Sequence, residues 1–192
     1  GRRVVWALGV GALVATALPV GRQITAEALH SFGNIARKNK DTKLGINLLR
    51  QANEIAPHDI EYANARIILV QKLAAPREIR PNKFAVIDKR DGRRLAKIAL
   101  RAAAGAVKGP PNHPSAHALL TTAEHFAAPY FGRGLDRAAL KSAKRAVELD
   151  PLMMFSAQQW RSASLVVGDR AEAVKAQALV ERIQFLVENS KP

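Results

Sequence analysis

The chain of 192 residues contains no cysteine. Disulfides, thiolate nucleophiles and cysteine-based metal sites are therefore excluded, and the redox compartment stays unread. Aromatic residues are scarce, at 5% of the sequence. That composition argues against an aromatic-rich β-sandwich and against a base-stacking nucleic-acid platform. Acidic residues are outnumbered, with 16 Asp and Glu against 30 Lys and Arg, and the formal net charge is +14. Such an excess favours an acidic counterpart: nucleic acid, anionic lipid head groups or an acidic protein surface.

The ingredients of catalysis are missing too. No glycine-rich phosphate loop follows a strand, since the "GVGALV" segment lies inside an apolar run. No serine has a base and an orienting acid nearby in sequence, and no paired carboxylates suit acid–base work. An enzyme is not expected, and no cofactor is implied. Of the histidines His30, His58, His113, His117 and His125, only His113 and His117 stand four apart. Pro114 between them marks a helix start, which leaves His113 outside the helix, and no carboxylate adjoins them, so no metal site is expected.

Two features are present in strength. The first is an uncharged stretch from Val4 to Gly21, "VVWALGVGALVATALPVG", bracketed by Arg2, Arg3 and Arg22. As a helix its 18 residues would rise roughly 27 Å at about 1.5 Å per residue. That is near the short end of bilayer-spanning lengths. Trp6 would lie near one interface. Residues 1–21 read as a single-pass transmembrane anchor, with a signal peptide and a buried helix as competing readings. Ala7, Gly11 and Ala15 repeat every fourth residue, a spacing that lets another membrane helix approach closely. The basic residues Arg22, Arg37, Lys38 and Lys40 after the span tilt the topology toward a cytoplasmic C-terminal domain.

The second is a period of 34 residues. When Pro57 is aligned with Pro151, residues 26–59 and 120–153 share a skeleton, and 154–187 continues in register. In the first unit the skeleton is Leu29, Phe32, Gly33, Ala36, Gly45, Leu49, Ala52 and Pro57. In the later unit it is Ala123, Phe126, Ala127, Tyr130, Ala139, Ala143, Ala146 and Pro151, with Pro129 unusual inside a first helix. The last unit keeps Trp160, Gly168 and Ala173. Small residues let paired helices approach, larger ones fill the remaining space, and proline breaks the second helix so that the chain turns back. This pattern resembles the tetratricopeptide repeat, a helix–turn–helix unit whose copies stack as a solenoid. The resemblance implies an all-α fold of about three and a half repeats over residues 22–192.

Between the units the period breaks. "IEYANARIILVQKLAA", from Ile60, reads as a first helix, and 26 extra residues then precede the next unit. A basic insert is expected at about 76–92, punctuated by Pro76, Pro81 and Gly92, with a helix from about Arg93 to Val107 after it. Its cations Arg77, Arg80, Lys83, Lys89, Arg90, Arg93 and Arg94 continue into Lys97 and Arg101. A loop interrupting a regular array is more often functional than incidental. These residues suit an acidic protein surface or lipid phosphates.

Tetratricopeptide proteins often hold a peptide or a partner's helix in a groove lined by their first helices. The resemblance places His30, Asn34, Arg37, Lys38, Asn64, Ile68, Lys72, Glu124 and Gln158 on that surface. A carboxylate clamp is incomplete: Asn34 fits, but His30, Thr121 and His125 stand where basic residues belong. The expected role is a membrane-anchored scaffold, an accessory subunit or assembly factor of a larger membrane protein complex, in a bacterial inner membrane or an organelle membrane. Its partners would be other subunits of that complex, with anionic lipid head groups in addition. Nucleic-acid binding is the charge-based alternative, disfavoured by the lack of stacking aromatics. A periplasmic repeat tail, like those ending some envelope-polysaccharide polymerases and ligases, is another.

Overall fold

The structure is a computed structural model that describes residues 19–39, 41–75, 77–80, 83–85 and 87–190. Among the described residues eight helices follow in order: α1 (Pro19–Lys38), α2 (Thr42–Ile55), α3 (Ile60–Ala74), α4 (Lys89–Lys108), α5 (Pro114–Phe131), α6 (Gly134–Leu149), α7 (Met154–Val167) and α8 (Arg170–Asn189). Each helix packs on the next, and the first helices α3, α5 and α7 also touch one another in sequence. The result is four stacked helix pairs, where the sequence suggested about three and a half.

Local chemistry sets the boundaries. Five helices open on a side-chain cap: Asp41, Asp59, Asp88, His113 and Asp169 each accept an N–H from the first turn. Each such cap typically contributes about 1 kcal/mol. Gly168 closes α7 at φ 84°, a left-handed geometry that glycine adopts without a Cβ penalty. Pro129 stays inside the last turn of α5, where its missing N–H costs the helix one bond. Gly132, at φ 105°, then ends the helix and donates to the Ala128 carbonyl at 2.8 Å.

The small residues sit where helices meet. Ala123, Ala127, Ala139, Ala143 and Ala146 are fully buried between α5 and its neighbours. In the first pair, a Cβ on Gly33 would lie 2.8 Å from Leu49 Cγ, and one on Gly45 would lie 3.2 Å from the Gly33 carbonyl oxygen. The largest apolar cluster joins α3, α4 and α5 through Ala63, Ile67, Val70, Leu95, Ala99, Ala106 and Leu119. Exposed apolar side chains gather at the two ends, Ile24, Phe32 and Ile35 on α1 and Leu165, Val166, Val174 and Phe185 on the last pair. No further pair covers those end faces among the described residues.

Eight helices among the described residues make the fold all-α, as the sequence suggests. Two details differ. The insert is not merely a loop: within it β1 (Arg77–Arg80) pairs antiparallel with β2 (Lys83–Ala85), Arg77 opposite Ala85 and Glu78 opposite Phe84. α4 also begins at Lys89 rather than Arg93, because Asp88 accepts from the Arg90 and Asp91 amides at 2.6 and 3.0 Å. The expected membrane span, with Ala7, Gly11 and Ala15, lies outside the described residues except for Pro19–Gly21, which open α1. Among the described residues no helix is long and apolar enough to cross a membrane.

Candidate functional site

The first helices of successive pairs wall a groove of about 880 Å³. From α3 it takes Ile60, Glu61, Asn64, Ile67, Ile68 and Gln71. Across it, α5 presents Ala118, Leu119, Thr122, His125 and Phe126, and α7 presents Phe155, Gln159 and Ser162. On α3 these positions recur at three- and four-residue spacing, so one helical stripe faces the opening. Gln159 Nε2 donates to Thr122 Oγ1 at 2.6 Å and ties α7 to α5.

The groove is nearly neutral. Among the described residues that line it, Glu61 is the one acidic side chain and none is Lys or Arg. Burial pushes the His125 imidazole below its ordinary pKa, with Asp136 opposing, so the ring is uncharged at pH 7. Two buried polar atoms of lining residues, His125 Nε2 and Gln159 Oε1, have no hydrogen-bond partner. Leaving such atoms unpaired costs free energy. Phe155 is 50% exposed at the rim. The arrangement suits an uncharged segment with apolar side chains and free backbone polar groups, and it does not suit a lone carboxylate.

The structure separates the residues expected in the groove. Asn64 and Ile68 line it, whereas Lys72 is exposed and Gln71 lines it in its place. His30 stacks against Tyr62 with ring centroids 4.7 Å apart, and His30 Nε2 lies 3.1 Å from Asn34 Nδ2. Arg37 and Lys38 end α1, where cations favour the helix dipole. Glu124 is buried and does not line the groove; the Ser142 hydroxyl of α6 influences its carboxyl. Burial raises its pKa, and that hydroxyl opposes the rise. Gln158 is exposed, and Gln159 lines the groove instead. Thr121 is buried and donates to the His117 carbonyl at 3.0 Å, which leaves Thr122 on the groove. One residue step is about 100° of helix, so a register one position off carries a side chain from the opening into the packing interface.

Of the insert cations, Lys89, Arg90, Arg93 and Arg94 belong to the first turns of α4, while Arg77, Arg80 and Lys83 lie on the hairpin strands. His113 caps α5 by accepting from the Ser115 amide at 3.2 Å, and His117 Nε2 meets the Pro111 carbonyl at 2.8 Å. Among the described residues no three His, Asp or Glu side chains are grouped to hold a metal.

Neither a family model nor a curated protein matches the chain. Several solved structures match its fold. MamA 41-end from Desulfovibrio magneticus RS-1 superposes with a TM-score of 0.57 at 13% identity, over 99% of this chain and 97% of that one. TTC0263, a thermophilic TPR protein of Thermus thermophilus, gives 0.58 at 16% identity, over 82% and 74%. The first TPR of Spaghetti (RPAP3), bound to the HSP90 peptide SRMEEVD, gives 0.54 at 15% identity, over 76% and 95%. The chain therefore has a tetratricopeptide-like fold.

Proposed function

We propose that this chain is a protein-interaction scaffold that holds an uncharged, partly apolar segment of a partner protein in the groove between α3, α5 and α7. The observation that carries the reading is the groove itself, with its largely apolar walls and nearly uncharged lining. A neighbour of the same fold holds a peptide, which supports a peptide-sized occupant.

The setting we propose is a membrane. The uncharged stretch Val4–Gly21 would tether the scaffold, with Ala7, Gly11 and Ala15 packing on a partner's helix. The chain would then serve as an accessory subunit or assembly factor of a larger membrane complex. The scarcity of aromatics, 5% of the sequence, disfavours nucleic acid as its main partner.

The test is site-specific crosslinking in the native membrane. A photoreactive side chain replacing Ser162 should give one discrete adduct, and Phe155→Glu should abolish it. The same group at Gln184, exposed on α8, should give none. An adduct that survives Phe155→Glu refutes the groove, and recovery of the chain as a free monomer after mild detergent extraction refutes the scaffold.

A further inference from the structure

Five of the seven cations of α4 form one line, with Lys89 and Arg93 to one side of it. Arg90, Arg94, Lys97, Arg101 and Lys108 are all exposed. At about 100° per residue they fall within a sector of roughly 60°. Leu95, Ala99, Ala102 and Ala106 occupy the opposite side and are buried. From Arg90 to Lys108 the row runs about 27 Å, at about 1.5 Å per residue. Only Arg94 has an acidic partner, Asp91 at 3.3 Å across an exposed gap. Among the described residues the side chains of Arg90, Lys97, Arg101 and Lys108 have neither a hydrogen bond nor an ion pair. Cations on a stable helix could be spread around its exposed half for solubility. Here five of the seven are aligned, four of those five have no ion pair among the described residues, and the row is as long as the helix itself.

We infer that this face of α4 docks on an anionic lipid surface. This rests on the membrane setting proposed above and goes beyond it by naming the contact.

A straight row on a helix packed between α3 and α5 meets a flat partner well. None of the row's five positions is aromatic, so base stacking has no platform there. Arginine, with its bidentate fork, predominates at the phosphate-facing positions. An uncharged stretch on the same chain, bracketed by arginines, supplies a reason for the domain to lie beside a bilayer.

The experiment uses the full chain, diluted from mild detergent into neutral phosphatidylcholine vesicles or phosphatidylserine-rich ones, and reads partitioning by flotation. Any insertion of the apolar stretch contributes to both vesicle types, so their ratio isolates the electrostatic contact. Each cation near an anionic surface adds roughly fivefold to binding. R90Q/K97Q/R101Q/K108Q should therefore lower the phosphatidylserine preference by about 100-fold, discounted from the full product because neighbouring charges are not additive. A second variant, R133Q/R161Q/R170Q/R182Q, removes the same charge from exposed positions elsewhere and should retain the preference. Helical circular dichroism checks that both fold.

Equal losses in the two variants would mean bulk charge and overturn the assignment to α4. Equal partitioning of the wild type into both vesicle types overturns the lipid contact while leaving the tether intact. Binding to charged vesicles alone supports the contact and sinks the tether. Salt-steep binding to random DNA that the α4 variant alone loses, with vesicle partitioning unchanged, reassigns the face to nucleic acid.

Discussion

Gly33→Ala should change sign with its background. In an exposed helix interior, replacing glycine by alanine gains roughly 1 kcal/mol. Gly33 is buried, and its new Cβ would meet Leu49 Cγ at 2.8 Å, Cδ2 at 3.0 Å and the Leu49 amide nitrogen at 3.3 Å. Leu49 is itself 0% exposed, so its side chain has nowhere to retreat. Overpacking of this kind costs about 1–3 kcal/mol. The net effect on the wild type is a loss of about 1 kcal/mol. Leu49→Ala alone leaves a cavity and costs about 2–5 kcal/mol. In that background the carbon clash is gone, so Gly33→Ala should recover its helix gain of about 1 kcal/mol. The coupling between the two sites is then about 2 kcal/mol, well above the additivity error of roughly 0.5 kcal/mol. Urea unfolding of the four variants measures it globally. Hydrogen exchange of α1 and α2 amides measures it locally, which matters because end units of a solenoid open independently. If Gly33→Ala shifts stability in the same direction in both backgrounds, the close approach of α1 and α2 is not what selects glycine there.

Glu124→Gln should stabilise the fold at pH 7. Burial raises the folded-state pKa above the ordinary 4.5, so the charged form is penalised as pH rises, and the variant's advantage should vanish below pH 4.5. Unfolding midpoints at pH 7 and pH 4 check it. Glu172 has the opposite sign: the ammonium groups of Lys144 at 2.8 Å and Lys175 at 3.0 Å hold its pKa at about 2. Its contribution is complete above the ordinary value of 4.5 and fades as pH falls toward 2, so Glu172→Gln should flatten an acid titration of stability in that window. Asp88→Ala removes the cap of α4 and should cost about 1 kcal/mol, read by urea unfolding with faster exchange confined to the first turn of α4. Raising salt toward 1 M shortens the screening length to about 3 Å; it should release the α4 face from lipid while leaving a Ser162 adduct in place, because the groove is nearly uncharged.

The helix pairs were legible because their signal is repeated and steric. Pro57 and Pro151 fix the register, and the small residues between them have one plausible use, close packing: Gly33 against Leu49, Ala127 and Ala139 fully buried. The groove was only partly legible. Its positions depend on the rotation of each first helix, which the repeated spacing of small residues within the chain does not set for α5. There the opening is reached by Thr122 and His125, and Thr121 and Glu124 pack inward. The hairpin left a faint trace, "REIR" and "KFA" flanking a Pro-Asn pair. Segments of four and three residues are too short for period-two alternation to stand out in a helical chain.

Gly92 is the most informative misreading. As a letter in the sequence, beside Asp91 and after two prolines, it punctuates a loop. In the structure it lies inside α4, on the buried side, and a Cβ there would overlap the Tyr130 ring. The residue is small because α4 lies close against the end of α5, the same reason that Gly33 is small between α1 and α2. The neighbouring positions agree: Asp88 caps, Asp91 sits in the first turn where the helix dipole favours an acid, and Arg93 Nε reaches the Tyr130 carbonyl at 3.2 Å. With Gly92 helical, the cations around it stop being a loop's scattered charge. Arg90 falls into line with Arg94, Lys97, Arg101 and Lys108 only because the helix begins at Lys89, so the cap at Asp88 and the close approach at Gly92 together extend the basic row to the start of α4.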